Sequence, residues 1–254
     1  MLTLPENVVI LVLAIIAALM LMALINWIWP ARTRYGQEDL VGWQLSILAT
    51  THAVILGFML YAEWTGFQAA QLNVELEANA LQNLYRLAEG LPAPERASIE
   101  RDARAYAQAV LADDWPDMAA GRIPQQSHRI NEALWKTLSS MRTSSPQELA
   151  AEDHALTELS ALTQFTRIRV LQSKTRLPAI FWCVLVVGGV LTIASVAMFG
   201  SRVYRLHAFQ VVSHTLLITL AMLTIADLNR PFQGWVRVDS YGFQRSLGNM
   251  HELP

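Results

Sequence analysis

The stretch LVGWQLSILATTHAVILGFMLYA, residues 40–62, carries no formal charge and is long enough to cross a bilayer, which takes ~20 residues of helix. No Gly-Pro break or polar loop ends it. Glu63 and Trp64 lead directly into Gln68, Ala69, Leu72, Glu75, Leu76, Ala80, Leu84 and Leu87. The apolar members of this series recur every three or four residues, the stripe of a helix. A membrane span therefore emerges into water as one long helix, and events in the membrane are mechanically joined to events outside it.

Three more charge-free apolar runs cover residues 7–29, 177–201 and 206–226. Each is of spanning length, and each must be helical because lipid cannot satisfy a free backbone polar group. The first run is too long for a signal-peptide core and has no basic residue before it and no small-residue cleavage site after it. It ends on Trp27 and Trp29, the interfacial aromatics expected where a helix leaves the bilayer, so it reads as a retained span. Short connectors, one holding Arg32 and Arg34 and the other Arg202 and Arg205, make two helical hairpins with both termini on one side. The expected division is a first transmembrane hairpin over 1–62, a helical extramembrane module over 63–176, a second hairpin over 177–229 and a tail over 230–254. The distribution of Lys and Arg gives opposing votes on orientation, with Arg167, Arg169, Lys174 and Arg176 standing against the short connectors.

Composition agrees with this class. Of 254 residues 53% are hydrophobic and 16% charged, against roughly 25% charged in soluble domains. A net charge of -2 with no basic face excludes a nucleic-acid partner. The single Cys183 lies in an apolar run and reads as a buried small hydrophobe.

The module reads as helical throughout. Pro94 precedes a helix carrying Ile99, Ala103, Tyr106, Ala107, Val110 and Leu111, broken at Asp113, Trp115, Pro116 and Gly121. Ile130, Leu134 and Leu138 mark another helix, and Pro146 opens a long one whose stripe is Leu149, Leu156, Leu159, Leu162, Phe165 and Ile168. No alternating strand pattern occurs, so the fold class is an all-α integral membrane protein.

No nucleotide loop, metal-ligand spacing or nucleophile signature is present, so no enzyme activity, cofactor or metal is implied. Polar residues inside spans are more informative because they are costly in lipid. Gln44, Thr51 and His52 fall close to one face of the second span, at i, i+7 and i+8. That face either lines a water-filled path or supplies hydrogen bonds to neighbouring helices. Its continuation, Ile55, Phe58 and Met59, is either a constriction that gates by dewetting or ordinary core. At the end of the fourth span Asp227 and Arg230, three apart, either pair at the membrane edge or form a plain interfacial cap, while Pro231 and Gly234, on either side of Phe232, make a sharp exit from the helix.

Several of these motifs resemble one family. Tyr61-Ala-Glu63-Trp64, Glu75-x-Glu77-Ala-Asn79, Leu84-Tyr85-Arg86, Trp115-Pro116 with Gly121, Leu177-Pro178 with Trp182, and Asp227 through Pro231-Phe232-x-Gly234 resemble the bacterial and plant bestrophin-like family. The family is remotely similar to bestrophins, which are pentameric anion channels with four spans per subunit, a cytosolic helical region and a pore lined by the second span. The resemblance implies a homo-oligomeric channel in a bacterial inner membrane, in contact with lipid and passing inorganic ions, with a hydrophobic neck at Ile55, Phe58 and Met59. It also marks Glu63, Glu77, Asn79 and the Asp227–Gly234 exit as structural or gating positions. The run of acidic residues that forms a bestrophin calcium clasp is missing, since only Asp239 and Glu252 follow Asp227, so calcium gating is not carried over. The rival is a non-conducting sensor or scaffold whose helical module binds a partner or ligand.

Overall fold

A computed structural model describes residues 4–34, 36, 38–199 and 203–252, and no strand occurs among them. Four helices are long and apolar enough to span a membrane. The first, α1 (Leu4–Ile28), stops ahead of Pro30, whose ring cannot continue a helix. A single turn, α2 (Ala31–Arg34), follows. The second spanning helix belongs to α3 (Glu38–Leu87), 50 residues without interruption. The other two are α8 (Ala179–Ala197) and α9 (Tyr204–Leu228). Ser201 and Arg202, read as span end and connector, lie outside the described residues.

The chain divides into two compact units. The membrane unit holds the described residues up to Thr65 together with Arg176–Asn229. Its core gathers Ala18 and Met22 of α1, Val196 and Ala197 of α8 and Val211 of α9, with Leu45 of α3 packed against them. Arg34 is buried and donates from Nη1 to the Met198 carbonyl at 2.7 Å, with Nη2 on Asn26. A cation at the carboxyl end of α8 is favoured by the partial negative charge of its free carbonyls. At the opposite end of that helix the Leu177 N–H donates to Asn229 Oδ1 at 2.9 Å, tying the start of α8 to the end of α9. Cys183, expected to be buried, is exposed on α8.

The second unit holds Gly66–Thr175 and the described residues from Arg230 onward. Its helices are the second part of α3, α4 (Ala93–Ala109), α5 (Trp115–Ala119), α6 (Gln126–Ser139), α7 (Pro146–Lys174) and α10 (Tyr241–Glu252). Between α4 and α5 the backbone makes a π turn at Val110–Asp114, closed by the Trp115 N–H on the Val110 carbonyl. Pro116 explains it: without an N–H, and with a ring that crowds the preceding turn, the chain cannot keep α-helical spacing here. The helix therefore widens at this point, where sequence reading expects a break. Helix α7 starts on a capping box in which Ser145 Oγ accepts from the Glu148 N–H at 3.2 Å and Glu148 Oε2 accepts from the Ser145 N–H at 3.1 Å. The final residues show no clear stripe in sequence, yet α10 buries Phe243, Ser246 and Met250, with Ser246 Oγ donating to the Ala78 carbonyl at 3.1 Å.

Candidate pore-lining face and a buried ion cluster

Within the membrane unit, α3 has the least intrachain cover. Of its apolar window 6% is buried, against 28% for α8 and for α9. It is also the least apolar of the four spans. The half-buried positions Val41, Leu45, Leu48, Ile55, Met59 and Glu63 trace one face, and the fully buried His52 lies on it. The His52 ring sits over a two-glycine step of α8: a Cβ on Gly188 would stand 2.4 Å from His52 Nδ1 and one on Gly189 3.7 Å from Nε2. Gln44, Ile47, Thr51, Val54, Phe58 and Tyr61 form the opposite, exposed stripe, at spacings of three and four.

The residues read from sequence as one pore-lining face are thus divided. Gln44, Thr51 and Phe58 share the exposed stripe, and Phe58 is 70% exposed. His52, Ile55 and Met59 turn inward. Ile55 and His52, with Thr51 from the edge of the exposed stripe, line a cleft of about 330 Å3 whose far wall is α8 around Cys183 and Gly188.

In the second unit, Glu77 is fully buried at the centre of an ion cluster. Arg169 of α7 donates from Nε to Glu77 Oε2 at 2.8 Å and from Nη2 to Glu77 Oε1 at 3.1 Å, a bidentate pair. Nη2 also reaches Asp114 Oδ2 at 3.1 Å, which the π turn carries inward. Tyr106 OH donates to Glu77 Oε1 at 2.6 Å and lies 2.6 Å from Thr166 Oγ1. All three charged side chains of the cluster are without solvent exposure. Burial, followed by the charge of Glu77, holds the Tyr106 hydroxyl well above its ordinary range, so at neutral pH it is a donor. Burial opposes the charge on Arg169, but Glu77 outweighs it and the guanidinium holds its proton more tightly than usual.

Sequence reading places Glu77 in a family motif and misses its partners. Arg169 is counted there among charges flanking the third span. The signal that would have found it is the phase of α7: its buried residues are Ala155, Leu159, Leu162, Thr166, Arg169 and Ser173, a three-four repeat that keeps Arg169 on the core side. Phe165 and Ile168, taken as the end of the stripe, are only half-buried, and Leu149 is exposed.

Asn79 is exposed, 3.5 Å from Arg245 Nη2, which also donates to Glu75 Oε2 at 2.8 Å. Asp227 is half-buried near the end of α9, and Arg230 is exposed. Pro231 and Phe232 are buried. The Pro231 carbonyl accepts from the Val238 N–H at 2.7 Å, and Phe232 meets Trp115 edge-on with ring centroids 5.7 Å apart. Gly234 has φ +89, a left-handed conformation open to glycine at little cost. Among the described residues no three His, Cys, Asp or Glu side chains converge as a metal site would require.

No curated protein matches the sequence. Solved structures do match the fold. A bacterial bestrophin homologue from Klebsiella pneumoniae is 17% identical with a TM-score of 0.69, over 96% of this chain and 98% of that one. A point variant of that homologue gives 15% identity and a TM-score of 0.72, over 97% and 100%. A structure described as a membrane protein is 18% identical with a TM-score of 0.68, over 94% and 99%. At these identities the likeness is one of fold. The family itself is given by sequence: the bestrophin-like domain matches residues 12–243, and the chain belongs to the bestrophin-like family.

Proposed function

We propose that this chain is one subunit of a ring-shaped ion channel in the bacterial inner membrane, with α3 of each copy at the axis. The observation that carries this reading is the exposed stripe of α3. Gln44 and Thr51 are exposed on it, and polar side chains in a span belong against water or protein rather than lipid. The exposed surface of α1, by contrast, is Val8, Val9, Val12, Leu13 and Ile16, which lipid solvates well. One copy encloses no path along α3, so conduction needs a closed ring. Five copies and anion selectivity are the expectations that come with the bestrophin resemblance, as are the two-hairpin arrangement and the absence of a catalytic role.

In this reading Gln44 and Thr51 line the wetted part of the path. Phe58, with Val54 one turn before it, makes a constriction that empties of water. Ile55 and Met59 support that ring from the packed side of the same helix, against α8 in the case of Ile55.

The test is ion flux through purified protein reconstituted in vesicles, alongside its detergent-corrected mass. Phe58→Ala and Phe58→Ser are expected to raise flux, and Ile55→Ala to leave it near the wild-type value. A monomer or dimer by mass, or zero flux in wild type and every variant, would overturn the reading in favour of a non-conducting scaffold.

A further inference from the structure

The helical module contains a second feature that conduction leaves unexplained. A cavity of about 530 Å3 opens beside the π turn, within the size range of small-molecule sites, ~300–1,000 Å3. Its helical lining carries apolar Leu111, Trp115 and Ala119, and its rim segment carries polar Arg237, Asp239 and Ser240. Both walls are held in place. Trp115 is fixed edge-on by Phe232 and by Phe243, with centroids 5.7 Å and 6.2 Å away. The rim segment is fastened by the Val238 N–H on the Pro231 carbonyl at 2.7 Å, and by Asp239 Oδ1, which accepts from the Tyr241 N–H at 3.1 Å. Val238 is 1% exposed while Arg237 and Asp239 are exposed on either side of it. Two opposite charges are therefore presented together, and they do not pair with each other or with another described charge.

We infer that this cavity binds a zwitterionic small molecule with a flat apolar body, an aromatic α-amino acid. Its carboxylate would lie on the Arg237 guanidinium, which suits a planar anion, and its ammonium on the carboxylate oxygen of Asp239 that the Tyr241 N–H leaves open. The side chain would rest on the Trp115 indole, where stacked or edge contacts between rings are favourable. A simple anion satisfies only Arg237 and meets the charge of Asp239; a simple cation has the converse problem. Leu111 of the lining belongs to the π turn that delivers Asp114 to Arg169. An occupant would brace that turn, and with it the grip of the cluster on Glu77 of α3.

The proposal stands apart from the channel reading, because its test is binding and not flux. The full-length protein in detergent is titrated with L-phenylalanine by calorimetry, with 3-phenylpropanoate and phenethylamine as probes lacking one charge each. Saturable binding of L-phenylalanine is expected, with both single-charge probes weaker by about tenfold or more. Arg237→Ala and Asp239→Asn should each weaken L-phenylalanine by a similar factor. Arg237 is exposed and Asn retains the capping ability of Asp, so both variants should elute as folded protein. No saturable heat from L-phenylalanine up to about 10 mM overturns the proposal. So does unchanged affinity in Arg237→Ala, or a single-charge probe that binds as tightly as the amino acid.

Discussion

The two parts of α3 differ in what they leave uncovered. Over residues 38–65, His52 is the one buried side chain among those described, and polar Gln44 and Thr51 share the exposed face with Val54 and Phe58. Over residues 66–87 the helix buries Phe67, Ala70, Asn73, Val74, Glu77, Ala78, Leu81, Leu84 and Tyr85. Along one face the second part is packed on its own chain, down to a carboxylate that accepts from Arg169, Tyr106 and Thr166, while Leu72 and Leu76 stay exposed on the other. In the first part neither lipid nor the chain itself suits the exposed polar groups. One helix thus has a half with a face packed on its own chain and a half whose exposed polar groups require either water or another copy. Substitutions in the second half are therefore expected to act on the stability of the chain and those in the first on transport.

The largest effect is expected at Arg169. Arg169→Leu leaves Glu77 and Asp114 buried without a countercharge, and breaking a buried pair this way costs about 3–5 kcal/mol. Thermal unfolding in detergent should show a large loss of stability or a failure to recover folded protein. An unchanged transition would mean that solvent reaches the cluster. Replacing Glu77, Asp114 and Arg169 together by apolar residues of similar volume should recover much of the loss, since such triads are often replaceable.

Tyr106→Phe comes next. It removes a hydrogen bond to a charged acceptor, worth about 1.5–3 kcal/mol, and it changes the response to alkali. The hydroxyl is held above its ordinary value of 10.0 in the folded chain, so its contribution is complete below about pH 10 and is lost as the pH rises through the folded value. Wild type should therefore lose stability on that upper limb and Tyr106→Phe should lose less. Parallel curves for the two proteins would remove Tyr106 as the cause.

Gly188→Val tests the packed side of α3 within the membrane unit. Its Cβ alone would meet His52 Nδ1 at 2.4 Å, and overpacking of this kind costs about 1–3 kcal/mol. His52→Ala in the same chain should relieve most of it, a coupling readable from the double-mutant cycle. Additive losses would show that the glycine step is not there to seat the imidazole.

The class of the fold was legible because its determinants are long and repetitive. Uninterrupted apolar runs, Pro30 and Pro178 at their ends, and Ser145-Pro146 before α7 each act over a turn or a span, where local chemistry decides. The buried cluster was not legible for the opposite reason. Glu77, Asp114 and Arg169 lie on three different elements, and only tertiary contact reveals that an arginine near a membrane is committed to the core. The inward turn of His52, Ile55 and Met59 was hidden similarly. Residues at i, i+7 and i+8 span a wide arc of a helix, and the sequence carries no mark of where the Gly188–Gly189 step would cut that arc in two. The π turn lies between these cases: Pro116 announces a disturbance, but whether the helix ends or widens depends on what Asp114 finds inside.

The smallest effect on stability should come from Phe58, and it is the most informative about the exposed half. In a single chain its ring is 70% exposed, and a substitution away from packed or bonded neighbours changes stability by about 0.5 kcal/mol or less. If α3 lines a path, Phe58→Ala should leave both the melting transition and the ring intact while flux rises. If the stripe instead seats another helix, truncating the ring opens a cavity, and the cost climbs towards the several kcal/mol, ~3–5, of a core Phe→Ala change. Oligomer mass would fall with it and flux would not rise. Thermal stability and flux measured on the same Phe58→Ala preparation therefore separate a wetted face from a packing face, and Ile55→Ala beside it shows what a packed residue of the same helix costs.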